Sequence, residues 1–180
     1  MFSLRSKITQ AVLGYFMMQD GAAMYVNQIA RRFHLESGNL TRKLMELEKD
    51  GILTSRWQGT QRYYSLNHSF PLLPEYKKII LKTLGFEYNL KKALQKIPKV
   101  KKAIIFGSYA KDKMDTSSDV DLLVVGDHST MELHKAIAGI QKSIDREINV
   151  ISMTDSEYRK KRTRDPLLKS IGQKDKDILL

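Results

Sequence analysis

The run Phe106-Gly107-Ser108-Tyr109-Ala110, followed after a short gap by Ser118-Asp119-Val120-Asp121-Leu122, constrains this chain more than any other stretch. Ala103 to Phe106 reads as a buried strand, and Val120 to Val125 as a second strand interrupted by acids. Side chains alternate along a strand, so Asp119 and Asp121 project on one side, with Val120 and Leu122 directed into the core. Two carboxylates a strand repeat apart repel each other unless a cation lies between them. Oxygen donors of this kind favour Mg²⁺, which usually arrives with substrate phosphates. Just upstream, Gly107 lets the backbone approach a phosphate closely, and Ser108 and the exposed amides of the turn can donate to its oxygens. Acids facing a phosphate-binding turn are the parts needed for metal-assisted phosphoryl or nucleotidyl transfer.

A third acid is needed to complete such a metal site, or to take the proton of an attacking hydroxyl. The run Arg146-Glu147-Ile148-Asn149-Val150-Ile151 supplies one. On a strand, Glu147, Asn149 and Ile151 share one face, while Ile148 and Val150 share the other. If this strand neighbours the one bearing Asp119 and Asp121, Glu147 reaches the metals. Asn149 is then a secondary polar contact, or itself the aligned position in a site lacking its third acid.

These residues resemble the DNA polymerase beta nucleotidyltransferase superfamily, especially its minimal members, over about residues 99–152. The resemblance implies catalytic and metal roles for Asp119, Asp121 and Glu147, and nucleotide contacts from Gly107, Ser108 and Lys111. It also implies two Mg²⁺ ions, an NTP substrate, a hydroxyl acceptor and release of pyrophosphate. Minimal members commonly carry Ala-Arg-Gly after the Gly-Ser turn, where this chain has Ala110-Lys111-Asp112. Lys111 keeps a positive charge but loses the bidentate fork of arginine, and Asp112 adds an anion near the expected triphosphate. The third acid is Glu rather than the more usual Asp.

The first part of the chain follows a different pattern. Apolar residues from Leu4 to Met18 recur at helical spacing, and Val26, Ile29, Ala30 and Phe33 mark a second helix. After a turn at His34, Ser37 reads as the N-cap of a third helix, with Leu40, Leu44 and Leu47 inward and Gly51 ending it. Leu53–Trp57 and Arg62–Leu66 then form a hairpin around Gln58-Gly59-Thr60. Asn39, Arg42, Lys43 and Glu46 lie off the leucine stripe, free to face a major groove. Asn39 and Arg42 suit base edges and Lys43 a phosphate, whereas Arg56 and Arg62 on the hairpin suit the backbone or the minor groove beside that helix. Gly38 lets the helix start approach an anion. Trp57, Tyr63 and Tyr64 are expected to pack the hairpin rather than stack on bases.

Residues 25–67 resemble ArsR-like winged helix-turn-helix regulators, which implies binding to double-stranded DNA as a homodimer. The apolar stripes of the first helix and of the segment after Pro71 are candidate dimer surfaces.

Composition narrows the setting. The 180 residues include 31 Lys+Arg against 20 Asp+Glu, a net charge of +11 that attracts polyanions. The absence of Cys removes disulfides and thiolate metal sites. No apolar run approaches the roughly 20 residues of a membrane helix, and the first residues lack a signal-peptide pattern, so a cytoplasmic protein without a membrane role is expected.

The expected architecture is α+β with two domains. A winged helix-turn-helix spans 1–70, a helical linker 71–98, and a polymerase-beta-like nucleotidyltransferase domain with a mixed sheet 99–180. The leading expectation is a DNA-binding transcriptional regulator whose second domain binds NTP–Mg²⁺ and transfers a nucleoside monophosphate to a hydroxyl if active. The alternative makes transfer primary, with the winged helix recruiting the acceptor. That acceptor includes a protein partner, as in the antitoxin of a toxin–antitoxin pair.

Overall fold

The computed structural model describes residues 4–110, 118–173 and 177–180. The chain divides into two compact units, Met1–Tyr88 and Asn89–Leu180.

In the first unit, helix α1 (Lys7–Met18) begins where the Ser6 hydroxyl accepts from the Thr9 amide. Its apolar stripe is buried within the unit itself, with Val12, Leu13, Phe16 and Met17 fully inaccessible. The stripe expected to meet a second copy is therefore spent on the unit's own core. Strand β1 (Met24–Tyr25) leads into α2 (Val26–Phe33), which ends where His34 adopts the left-handed conformation, φ 51°.

Helix α3 (Ser37–Lys49) buries Leu40, Leu44 and Leu47, as the leucine spacing predicts. Its cap differs from the expected one. Glu36, not Ser37, is the N-cap, and its carboxylate accepts from the amides of Gly38 at 2.8 Å and Asn39 at 2.7 Å. A longer acidic side chain outcompetes serine here because it carries charge to the positive end of the helix. The amides expected to greet a phosphate already hold an anion. Gly51, at φ 84°, provides the reversal into the hairpin.

That hairpin pairs β2 (Leu53–Gln58) with β3 (Gln61–Leu66), and β1 adds to the other edge of β3. Leu53, Leu66 and Tyr64 are buried on the face directed at α3. Trp57, expected to pack, is 68% exposed. It lies on the same face, but opposite Arg62 near the turn, where the hairpin has run beyond its apolar cover. Helix α4 (Leu73–Thr83) packs on α1. Helix α5 (Phe86–Gln95) contains the division between the units.

The second unit is built on a four-stranded mixed sheet in the order β6-β5-β4-β7. Strands β4 (Val100–Phe106) and β5 (Val120–Gly126) are antiparallel, whereas β5 and β6 (Ile148–Met153) are parallel. The parallel step is made by helix α6 (Thr130–Ile144), capped by Ser129 and closed by Asp145 in the left-handed conformation. Helices α7 (Asp155–Lys161) and α8 (Pro166–Gln173) follow, and β7 (Asp177–Ile178) pairs with β4.

Leu122, Leu123, Val124 and Val125 are all buried, so β5 is covered on both faces beyond its first two residues. Leu123, Val125 and Ile104 form a cluster with Leu168 and Ile171 of α8, against which Tyr158 of α7 packs. Asp121 belongs to the same face as Leu123 and Val125 but precedes this cover, and Asp119 lies just before the strand. Among the described residues, no helix is long and apolar enough to cross a membrane.

Candidate active site

The start of β5 is held in place from β6. The Val120 amide donates to the Glu147 carbonyl at 3.0 Å, and Arg146 Nη1 donates to the Ser118 carbonyl at 2.8 Å. Arg146 thereby positions the segment entering Asp119. Nothing about a lone basic residue before a strand signals this role, which depends on the parallel register.

That register places Asp121 against Asn149 on one side and Phe106 on the other. Asp121 is half-buried and Asp119 exposed. Asn149 Nδ2 donates to Asp119 Oδ2 at 3.3 Å, so the amide reaches one carboxylate and is registered against the other. Glu147 is exposed and touches β5 through its carbonyl. Among the described residues, no three His, Asp or Glu side chains are gathered closely enough to hold a metal ion.

Gly107 has φ 79°, a conformation that L side chains rarely adopt, and a Cβ there would overlap the Asp121 carboxylate. The turn and the second acid are therefore in direct apposition. Ser108 is half-buried in that turn. Lys111, the remaining nucleotide candidate, and Asp112 lie outside the described residues.

The donor set suits Mg²⁺. One or two carboxylates are a common protein contribution when substrate phosphates and water complete the shell. Three acids are not essential to that fit.

In the first unit, Asn39 and Arg42 are both exposed on α3 and joined to each other, with Arg42 Nη2 donating to Asn39 Oδ1 at 3.2 Å. Arg56 is exposed on β2. Lys43 is ion-paired with Glu46. Arg62 is engaged more deeply, with Nη2 2.6 Å from Glu48 Oε2 and Nε 2.8 Å from Ser55 Oγ. These contacts bind the hairpin to α3, and they leave Arg62 less free than Arg42 or Arg56 to meet a phosphate. In α7, the Lys101 ammonium, followed by Arg159, holds the Asp155 carboxyl below its usual range. Lys160, Lys161, Arg162 and Arg164 remain exposed around it.

A family profile described as the nucleotidyltransferase domain matches residues 87–178, just over half of the chain. The chain belongs to this family. No curated protein matches it. Among solved structures, the nucleotidyltransferase chain is similar to one of a toxin–antitoxin with AMP-PNP, at 18% identity and TM-score 0.39, covering 52% of this chain and 72% of that one. A mutant of the toxin–antitoxin MntA-HpeT gives 16% identity and TM-score 0.40 over 52% and 72%. A protein from Sulfolobus solfataricus assigned to the nucleotidyltransferases gives 18% identity and TM-score 0.31 over 51% and 73%. Likeness at this level carries no functional weight.

Proposed function

We propose that this chain transfers a nucleoside monophosphate from an NTP to a hydroxyl, and that its first unit, a winged helix, recruits the acceptor. The reading rests on family membership and on one observation above others. The Asp121 carboxylate lies against the Cβ-less Gly107, and Asp119 stands two residues earlier, at the entry to β5. Transfer is placed first because the matched region covers the unit that carries these residues.

In this mechanism Gly107 admits the triphosphate to the backbone, and Ser108 and the turn amides donate to its oxygens. Lys111 adds a positive charge. Asp119 and Asp121 would hold Mg²⁺ together with phosphate oxygens. Bound there, the ion supplies charge neutralisation on the phosphates. The acceptor oxygen bonds to the α-phosphorus, the bond to the bridging oxygen breaks, and pyrophosphate leaves. Glu147 accepts the hydroxyl proton or completes the ligand set.

Incubation with α-phosphate-labelled NTPs, Mg²⁺ and a cell extract as the acceptor source tests this reading. Label should enter an acceptor and be lost with Asp119→Asn or Asp121→Asn. Nucleotide binding without incorporation, or incorporation that survives both substitutions, would refute it.

A second reading, a DNA-binding regulator acting on duplex sites, is favoured by the exposed Asn39–Arg42 pair and by Arg56. There, Arg42→Ala should reduce discrimination between DNA sites by about 1–3 kcal/mol. Unchanged discrimination would remove Arg42 from base reading.

A further inference from the structure

The face of the hairpin directed at α3 continues past its buried part into an open groove of about 330 Å³. Trp57 forms one wall and Met45 of α3 another, at 68% and 51% exposure. Two large apolar side chains left this open on facing elements are not explained by the core. The guanidinium of Arg62 stands 6.0 Å from the Trp57 ring, and Glu48 and Ser55 fix it from behind. The groove is therefore built and stiffened before anything enters it.

Its charge is one-sided. Arg42 and Lys49 lie three residues before and four after Met45, so the three form a continuous stripe on the helix surface. Among the described residues neither cation has a carboxylate partner. The nearby Glu48 is neutralised by Arg62. A ligand in this groove meets a flat indole and an apolar side chain, with Arg42 and Lys49 flanking Met45 on the helix surface.

We infer that the groove between α3 and the hairpin binds unpaired nucleobases of a single-stranded nucleic acid, with a base stacked on Trp57 and phosphates along Arg42 and Lys49. A base has two apolar faces and is linked to phosphate, which matches the wall and the flanking cations together. A duplex presents base edges in its grooves and keeps the faces stacked, so it offers nothing that an indole can cover. The volume is at the lower end for a small-molecule site and suits one nucleotide. The inference rests on the acceptor-recruiting reading and gives the acceptor a chemical class.

Trp57 is the only tryptophan in the chain, so its fluorescence reports on the groove without labelling. The full chain is titrated with short oligothymidylate, oligouridylate, an abasic strand and a duplex, all without NTP. A silent transfer centre therefore does not affect the result. Both base-bearing strands should quench Trp57, with the tighter one identifying DNA or RNA as the source. The abasic strand should bind at least tenfold more weakly. By anisotropy of labelled strands, Trp57→Ala should lose at least tenfold in affinity and Trp57→Phe should keep most of it. Equal binding of duplex and single strand, unchanged affinity in Trp57→Ala, or quenching by an amphipathic peptide in place of the strands would each overturn the inference.

Discussion

Asn149 Nδ2 donates to Asp119 Oδ2 at 3.3 Å, while the Asn149 backbone is in register with Asp121. An uncharged amide thus occupies the strand position adjoining both carboxylates. Asn149 thereby ties the entry of β5 to β6.

Replacing this amide by a carboxylate tests whether a cation enters among these residues. Asn149→Asp removes a donor and sets like charges opposite each other across the strands, which should cost up to about 1 kcal/mol. Urea denaturation in EDTA should show that loss, and Mg²⁺ should recover more stability in the variant than in the natural chain. An equal response to Mg²⁺ in both would mean that the ion does not enter among these residues.

Two glycines should respond oppositely to alanine. At Gly107, φ is 79° and the new Cβ would meet the Asp121 carboxylate, so Gly107→Ala should lose about 1–3 kcal/mol and weaken nucleotide binding. Gly139 lies within α6 with no atom near its absent Cβ. Gly139→Ala should therefore gain about 0.5–1 kcal/mol from helix propensity and leave nucleotide binding unchanged. Denaturation midpoints and nucleotide titration of the two variants check both signs.

The second unit was largely legible because its signals are local. Gly107, the alternation Asp119–Val120–Asp121 and the apolar run to Val125 each depend on a strand's own period. What stayed open was the partner of the acids. Glu147 and Asn149 share a strand face, and only the parallel register, with Asp121 opposite Asn149, separates their places. The role of Arg146 gives no local signal for the same reason, since its partner is the Ser118 carbonyl, distant in sequence and just before β5. In the first unit the leucine stripe of α3 is plain in the sequence, whereas the cap is not. Ser37 has the commoner capping side chain, and the charge and reach of Glu36 prevailed. The exposure of Trp57 is not legible in the sequence because residue type favours burial, whereas exposure depends on how far the hairpin outruns its cover.

Glu48 and Arg62 join α3 to the hairpin through a part-buried ion pair at 2.6 Å, shared with Ser55. An exposed pair contributes little, but this one is sheltered, hydrogen-bonded and stacked near Tyr64. A double-mutant cycle of Glu48→Ala and Arg62→Ala should give a coupling of about 1 kcal/mol in urea denaturation. Arg62→Lys should lose most of it, because an ammonium cannot reach carboxylate and hydroxyl together as the guanidinium fork does. Strictly additive single variants would show that packing, not the ion pair, holds the hairpin to α3.

The cap of α3 should make the first unit sensitive to acid. Backbone hydrogen bonds from Asn39 and Gly38 hold the Glu36 carboxyl below its usual range. A carboxyl whose folded pKa is depressed binds fewer protons in the native chain than in the unfolded one. Its contribution is therefore fully present above the ordinary glutamate value, about 4.3, and is lost as pH falls through the lower folded value. Glu36→Gln keeps an accepting oxygen but removes the charge that favours the helix N-terminus. The variant should be less stable than the natural chain at neutral pH, and the gap should close progressively in acid as the natural carboxylate is protonated. Urea midpoints followed by helix signal across that range measure the gap. A difference that stays constant with pH would mean that Glu36 acts through shape alone, leaving the charge at the start of α3 without a part in its stability.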